Sequence, residues 1–434
     1  MRLLPHTIVA IAVLLNLCAP ASAELLFPPP EFETDYVMPG TTTPHPHQDI
    51  YEYVDVAVLL IALSLASYLI LKRRSRRATF VLMLSSLVYF GFWRKGCVCP
   101  IGAIQNVVLS ISDSTYAVPI AVLLFFLLPL IFTLFFGRVF CAAVCPLGAI
   151  QDLVMLSAKG GVSVPHWLAA GLRLLAYLYL ALAVLFATTG SAFLICRYDP
   201  FVAFFRLSGN VNILIIGVCF LLVGLFIGRP YCRFFCPYGL ILRQFSRLSM
   251  RRVTITPDEC IQCRLCEDSC PFGAISSPAV QWPAVEYAGA KKRLAFLMLL
   301  MPILILLCGW AGSRLKNVTS RMHPTVRLAE RIYLEEAGDV NDVTDPSTAF
   351  RATGETIESL YQRASVIRER FTLGGWLLGG FMGLVIGVKL IAVSVWRKRT
   401  DYEAERAGCL ACARCFKYCP RERLRLSKTK KEVR

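Results

Sequence analysis

Charged residues and histidines are both scarce in this sequence. Asp, Glu, Lys and Arg make up 17% of its 434 residues, whereas soluble domains contain about 25%, which excludes an ordinary soluble enzyme and a disordered protein. None of the five histidines lies inside a long apolar run, which argues against a membrane haem with paired histidine ligands. No Gly-x-Gly-x-x-Gly fingerprint follows a strand and no Walker loop is found, so binding of NAD or ATP by those routes is not expected.

Long apolar runs are abundant instead. Hydrophobic residues form 56% of the chain, and runs such as 117–136 and 211–227 are long enough to cross a hydrocarbon core of about 30 Å. The pattern predicts an all-α polytopic membrane protein with about seven spans, at 54–71, 78–93, 117–136, 167–188, 211–228, 294–312 and 371–395. In the last span four glycines recur every four residues, which predicts a face for close helix packing in lipid; they are Gly375, Gly379, Gly383 and Gly387.

The N-terminal part of the chain predicts its orientation. Residues 1–23 have the pattern of a signal peptide ending in Ala21-Ser22-Ala23, and the alternative is an uncleaved anchor helix. A basic run at 72–77 follows the first span, so the loop there is expected in the cytoplasm. With seven spans, the segments 229–293 and 396–434 are then cytoplasmic, and 24–53 and 313–370 are periplasmic. We therefore expect a bacterial inner-membrane protein whose net charge of +17 is mostly a topology signal, with no nucleic-acid partner.

Two cysteine runs have the spacing of bacterial ferredoxins, with three cysteines two residues apart and a fourth followed by proline. They comprise Cys260, Cys263, Cys266 and Cys270 in the first run, and Cys409, Cys412, Cys415 and Cys419 in the second. Zinc sites and disulfides are the alternatives, but zinc pairs are usually farther apart in sequence, and disulfides are disfavoured in the cytoplasm. The runs predict two [4Fe–4S] clusters.

The fourth cysteine of each run binds the other cluster in two-cluster ferredoxins. We therefore predict one small α+β ferredoxin-like domain assembled from the two cytoplasmic segments. Cys419 would complete the site of the first run, and Cys270 would complete the site of the second; two independent clusters are the alternative.

Further cysteines stand next to proline at the ends of the apolar runs. Gly137-Arg138-Val139-Phe140-Cys141 is repeated 91 positions later as Gly228-Arg229-Pro230-Tyr231-Cys232, so the core 54–228 and the turn after it contain two similar halves. The repeat predicts a site at the cytoplasmic membrane edge, here called the turn site, formed by Cys141, Cys145, Cys232 and Cys236. We expect it to bind a further iron–sulfur cluster whose charge Arg138 and Arg229 offset; the alternative is buried, reduced cysteines on packed turns.

The same repeat arithmetic places Cys97, Cys99 and Cys196, with Asp199, at the outer membrane edge. These thiols are candidate metal ligands, and a disulfide between Cys196 and Cys97 or Cys99 is the alternative. The segment 313–370 alternates charged and apolar residues, which predicts a helical hairpin that binds a partner or a solvated cap.

The paired Cys-x3-Cys-Pro turns followed by ferredoxin runs resemble the NapH/NosR-type membrane polyferredoxins over roughly residues 54–434. The end of the chain is most similar to NosR-type proteins, whose flavin-binding domain has no counterpart in residues 24–53, so any flavin is expected on a partner. The resemblance implies electron transfer between the quinol pool or cytoplasmic donors and a periplasmic reductase or its electron carrier.

We therefore expect an electron-transfer component rather than a stand-alone enzyme. Two other functions are open at this point: an accessory or redox-regulatory protein for a periplasmic metalloenzyme, and a membrane scaffold without clusters.

Overall fold

The structure is a computed structural model that describes residues 49–96, 99–114, 116–155, 164–206, 210–255, 260–278, 287–340, 342–394 and 399–425. The predicted signal peptide 1–23, most of the segment 24–53 and Cys97 lie outside the described residues. Two compact units are distinguished, Met1–Ala57 and Val58–Arg434, and the sites discussed below lie in the second.

Helices dominate the described residues. They are α1 Asp49–Ser67, α2 Arg76–Ser86, α3 Pro100–Ser112, α4 Ile120–Phe136, α5 Val139–Ala143, α6 Pro146–Met155, α7 His166–Thr188, α8 Leu194–Tyr198, α9 Pro200–Arg206, α10 Val211–Phe226, α11 Pro230–Phe234, α12 Pro237–Phe245, α13 Leu265–Asp268, α14 Tyr287–Arg314, α15 Lys316–Ser320, α16 Pro324–Glu336, α17 Asp345–Ala352, α18 Ile357–Ser394 and α19 Arg414–Tyr418. Helices α1 and α2 continue as π-helices, Tyr68–Lys72 and Leu87–Trp93, and a 3₁₀ turn, Ser246–Leu248, follows α12.

Four helical stretches within the described residues are long and apolar enough to cross a membrane, and they are Ile50–Lys72, Trp167–Thr188, Gly289–Arg314 and Ile357–Ala392. A fifth is added if the bent pair α9 and α10 forms one span. Four of the predicted spans overlap these helices. The runs 117–136 and 211–228 instead form helices of 17 and 16 residues, which at 1.5 Å per residue fall short of a 30 Å core by about 5 Å. Seven spans therefore stay a prediction.

The glycine face predicted in the last span packs against another helix of the same chain. A Cβ atom on Gly375 or Gly383 would lie 2.5 Å from the carbonyl oxygen of Gly312 or Leu304, respectively, in α14. Such a distance leaves no room for a side chain, so the two backbones touch. Glycine allows this close packing in lipid, as the sequence predicts.

The two ferredoxin segments share one small sheet. Strand β1, Ile275–Ser276, pairs antiparallel with strand β2, Glu403–Ala404, so that Ile275 faces Ala404 in the register. The backbone N–H of Glu405 also donates to the carbonyl of Ala274 at 2.7 Å. The first and second cysteine runs are thereby held side by side, although α14 to α18 separate them in the chain.

The segment between α14 and α18 has a core of its own. Val326, Ile332, Phe350 and Leu360 are buried together. The apolar positions that suggested a surface for a partner therefore largely face one another, because α16 and α17 fold back on the start of α18.

Candidate metal centres

The first cysteine run surrounds a cavity that the second run completes. Cys260, Cys263 and Cys266 line this cavity together with Cys419 and Tyr402. This is the exchange of the fourth ligand that the ferredoxin spacing predicts. The partner run supplies Cys419 because the β1–β2 pairing brings the two segments together.

Cys270 correspondingly lies with the second run. It packs with Cys409 and Cys412 against the buried side chains of Phe272 and Leu410. Burial raises the pKa of the Cys409 thiol to about 12, and the neighbouring Cys412 and Cys270 thiols add to the effect. Such thiols ionise only when a bound cation compensates for their burial, as a metal centre does.

The backbone of both runs has the shape that binds an anionic cluster. Gln262 and Arg264 have positive φ angles of 51° and 62°, and Ala411 and Ala413, at the same positions of the second run, have 53° and 58°. A non-glycine residue in this conformation costs about 1 kcal/mol. Left-handed residues alternating with ordinary ones turn successive N–H groups toward one concavity, a geometry common at iron–sulfur sites. The donor atoms and the loop shape therefore both fit [4Fe–4S] clusters.

The described residues contain no three His, Cys, Asp or Glu side chains close enough to share one metal ion.

The turn site is assembled from two equivalent halves. Pro146 and Pro237 occupy the first turns of α6 and α12, where proline is tolerated because its missing N–H would have no helical partner. Cys145 and Cys236 immediately precede these prolines, so both thiols lie at helix N-termini. The Gly239 N–H donates to the sulfur of Cys236 at 3.2 Å.

The other two cysteines of the turn site are bound by side chains. Gln151 donates to the sulfur of Cys232 at 3.2 Å, and Arg138 donates to the sulfur of Cys141 at 3.7 Å. Burial raises the pKa of the Cys232 thiol to about 12, with Arg229 opposing the shift and Cys141 adding to it. The four cysteines thus share one buried, cation-flanked environment, as the repeat predicts.

The turn site adjoins the ferredoxin unit directly. Cys141, Cys270, Cys409 and Cys412 all pack against one buried cluster, which Met155, Phe272, Ala274 and Leu410 form. Gly228, at the start of the second repeat, also has no room for a side chain, because a Cβ there would lie 2.8 Å from the carbonyl oxygen of Pro271. The membrane turns and the ferredoxin unit therefore form one continuous packed region.

Asp152 is a central residue that the sequence reasoning missed. Its carboxylate is completely buried and accepts from Arg229 at 3.0 and 2.9 Å and from Arg76 at 3.0 Å. Burial alone would raise the pKa of Asp152, but Arg229, followed by Arg76 and Arg414, outweighs burial and lowers the pKa to about 2. The positive charge of Arg229 is therefore balanced mainly by Asp152, and its guanidinium also donates to the Cys141 carbonyl.

The basic run after the first span also binds the ferredoxin unit. Arg74 pairs with Glu422 at 3.0 Å and lies 4.7 Å from the ring centroid of Phe416. Arg76 donates to the carbonyl of Cys412 at 3.1 Å. This run is more than a topology signal, and its two arginines connect the membrane part to the second cysteine run.

The predicted position of Cys99, Cys196 and Asp199 at the outer membrane edge is wrong. The Tyr231 hydroxyl donates to the Asp199 carboxylate at 2.6 Å, and Tyr231 is the residue before Cys232 of the turn site. The two groups therefore cannot lie on opposite faces of a 30 Å core. The prediction assumed that the runs 117–136 and 211–228 cross the membrane between the two groups, whereas they form helices of only 17 and 16 residues. Cys99 and Cys196 are not joined in a disulfide.

Comparison with known proteins defines the class. A family described as "4Fe-4S binding domain" matches residues 118–164 and 210–256, one match for each half of the turn site. A second family with the same description matches residues 253–276, which contain the first cysteine run. These matches support a [4Fe–4S]-binding protein of the polyferredoxin kind, and the long apolar helices support a membrane protein.

Two curated proteins illustrate the similarity. The chain is 29% identical over 136 residues to the "Putative electron transport protein YccM" of Escherichia coli (strain K12), covering 29% of this chain and 38% of the relative. It is 34% identical over 98 residues to the "Uncharacterized protein MJ0750" of Methanocaldococcus jannaschii, covering 23% of this chain and 41% of the relative. The chain thus spans about two fifths of the length of these relatives. No solved structure matches the chain.

Proposed function

We propose that the chain is a membrane electron conduit of the NapH/NosR type, which carries electrons between quinol or cytoplasmic donors and a periplasmic reductase system. The observation that carries the proposal is that Cys141 of the turn site packs against the same buried cluster, with Phe272 and Leu410, as Cys270, Cys409 and Cys412 of the ferredoxin unit. A ferredoxin unit and a membrane thiol site in direct contact are what a relay needs.

Three sets of thiols have defined roles in this proposal. Two [4Fe–4S] clusters, when bound, would supply one-electron transfer, as would a further iron–sulfur centre at the turn site. The eight cysteines of the two runs would hold the two [4Fe–4S] clusters, with each run supplying its fourth cysteine to the other cluster. The four cysteines of the turn site would hold the further centre. Tyr402 covers one side of the first cavity, and the apolar side chains of Phe272 and Leu410 exclude water from the second.

Arginines stabilise negative charge between the sites. Arg138 contacts a turn-site sulfur, and the Arg229 guanidinium lies 5.7 Å from the ring centroid of Phe272. Nearby cations favour the more negative, reduced state of a cluster, and protein charge and hydrogen bonds set its potential. The guanidinium groups therefore raise the potentials of the centres they face.

The proposed topology places both ferredoxin segments in the cytoplasm. The Arg74–Glu422 ion pair and the hydrogen bond from Arg76 to the Cys412 carbonyl support it, because they require the basic run 72–77 and the second cysteine run to lie on the same side. Reporter fusions after residues 278 and 425 should report the cytoplasm, and a fusion after residue 340 should report the periplasm. Fusions at 278 and 425 that report opposite sides would contradict the proposal.

The function is tested with anaerobically purified protein in proteoliposomes. Duroquinol is added as the electron donor, and ferricyanide enclosed inside the vesicles is the acceptor. The double variant Cys141→Ser, Cys236→Ser should slow ferricyanide reduction at least tenfold while both ferredoxin EPR signals persist, and Cys219→Ser should behave as wild type. Clusters that are reduced by quinol but never reduce ferricyanide would favour the accessory or redox-regulatory alternative.

A further inference from the structure

A second pair of thiols repeats the local design of the turn site. Residues 99–105 read Cys-Pro-Ile-Gly-Ala-Ile-Gln, and residues 145–151 read Cys-Pro-Leu-Gly-Ala-Ile-Gln. Each cysteine precedes the proline that begins a helix, α3 or α6. Gln105 and Gln151 therefore occupy the same position in equivalent helices, and both are completely buried.

The two glutamines make the same bond through their oxygens. Gln151 Oε1 accepts from the backbone N–H of Tyr231, the residue before Cys232, at 3.2 Å. Gln105 Oε1 accepts from the backbone N–H of Ile195, the residue before Cys196, at 2.9 Å. Each glutamine is thus fixed beside a cysteine of the other half of the repeat.

The side-chain nitrogens of Gln151 and Gln105 differ in their hydrogen bonds. Gln151 Nε2 donates to the sulfur of Cys232 at 3.2 Å, which is a hydrogen bond to a turn-site ligand. Gln105 Nε2 has no hydrogen-bond partner in the described part of the chain, although it is buried. A buried donor without an acceptor costs about 1–3 kcal/mol. The missing acceptor is expected where Gln151 finds one, at a sulfur.

Cys99 and Cys196 both lie at the helix that carries this amide. The sulfur of Cys196 lies 3.2 Å from the position of a Cβ atom built on Gly102, one helical turn before Gln105. Cys99 begins the same helix. Gly102 therefore leaves the space that the Cys196 side chain occupies against α3, on the helix that also carries the unpaired amide.

Asp199 connects this pair to the turn site. Asp199 stands before Pro200 as Cys145 stands before Pro146, and its carboxylate accepts from the backbone N–H of Phe201 at 2.9 Å. The other carboxylate oxygen accepts from Tyr231, which adjoins Cys232. The second pair of thiols thus lies next to the turn site rather than on a distant face.

We propose that Cys99 and Cys196 hold a thiophilic redox metal centre, of iron or copper, adjoining the turn site, with Gln105 donating to its sulfur. Thiolates select iron–sulfur clusters, copper(I) and zinc among the common metals, and zinc has no redox chemistry. The inference rests on the proposed conduit function and extends its relay by one centre. Hydrogen bonds to cluster or ligand sulfurs tune potential, which gives the buried amide a function.

The first test is metal analysis of the full chain purified anaerobically. Cys99→Ser and Cys196→Ser should each lower the iron or copper content by the equivalent of one centre relative to Cys219→Ser, while the ferredoxin EPR signals persist. Gln105→Leu should retain the metal and shift one midpoint potential downward. Metal content in both serine variants equal to that of Cys219→Ser, or a loss of zinc only, would overturn the proposal.

A second test uses the wild-type protein and does not depend on the variants folding. Cys196 is exposed. A bound metal should protect Cys196 from N-ethylmaleimide at least tenfold relative to the same protein after a chelator has stripped the metal. Equal labelling of Cys196 before and after chelation would overturn the proposal. Because labelling is read at Cys196 alone, its result is independent of whether quinol-driven transfer occurs.

Discussion

The Asp152 carboxylate and the Arg229 guanidinium lie 2.9 Å apart, and both side chains are completely inaccessible to solvent. Asp152 belongs to the first half of the repeat and Arg229 to the second. Arg76 and Arg414 approach the same carboxylate from the basic run and from the second cysteine run, at 3.0 and 3.8 Å. One acid therefore unites the membrane turns, the loop after the first span and the ferredoxin unit.

Replacing Asp152 with asparagine should destabilise the protein strongly. Removing one partner of a buried ion pair leaves uncompensated charge and costs about 3 kcal/mol or more. The variant should also raise the midpoint potential of the cluster bound by the second run, because an anion near it is lost. Thermal unfolding and redox-poised EPR measure the two effects. Asp339→Asn, at an exposed position, is the control, and equal behaviour of the two variants would contradict the role of Asp152.

The same carboxylate predicts an acid-dependent loss of stability. Its folded pKa of about 2 lies below the unfolded value of about 3.9, so the stabilisation is complete above about pH 5 and is lost progressively as the pH falls toward 2. The contribution is on the order of 2 kcal/mol. Unfolding of wild type and Asp152→Asn, followed by tryptophan fluorescence from pH 6 to 3, isolates it. The difference between the two proteins should shrink below pH 4, and a constant difference would contradict the prediction.

Exchange of the fourth ligand predicts a selective pattern of cluster loss. Cys419→Ser should remove the cluster of the first run, because Cys419 lines the cavity of Cys260, Cys263 and Cys266. Cys270→Ser should instead remove the cluster of the second run. Iron content with EPR of the reduced protein identifies which signal is lost, by comparison with Cys263→Ser and Cys412→Ser. Loss of the first-run signal in Cys270→Ser would indicate two independent clusters.

The glycine face allows a matched pair of substitutions. A Cβ on Gly379 would overlap the Cys308 carbonyl of α14, whereas a Cβ on Gly380 would lie 3.7 Å from Ile305. Gly379→Ala should therefore force α14 and α18 apart and cost about 1–3 kcal/mol, and Gly380→Ala should be nearly neutral. Their melting temperatures in the same detergent measure the difference. Equal melting temperatures would show that the helix contact contributes little.

Short sequence patterns predicted the thiol sites, because each cysteine spacing is contained within a few residues of the chain. The ferredoxin spacing predicted two thiol sites, and the repeat with Cys141 and Cys232 predicted the turn site that the structure assembles. Asp152 was missed because nothing near it in sequence distinguishes it; its three arginines come from distant elements. The outer-edge position of Cys99 and Cys196 was predicted wrongly because the runs 117–136 and 211–228 were assumed to cross the membrane, while α4 and α10 are too short to do so.

The pairing of β1 with β2 has a consequence for biogenesis. Strand β1 leaves the ribosome long before β2, since the whole of α14 to α18 is translated between them. In the proposed ligand sets, the first run has only three of its four ligands until Cys419 is translated, and Cys270 has no cluster to complete until the second run is made. Both proposed clusters would therefore be completed only after the last membrane helix has been synthesised.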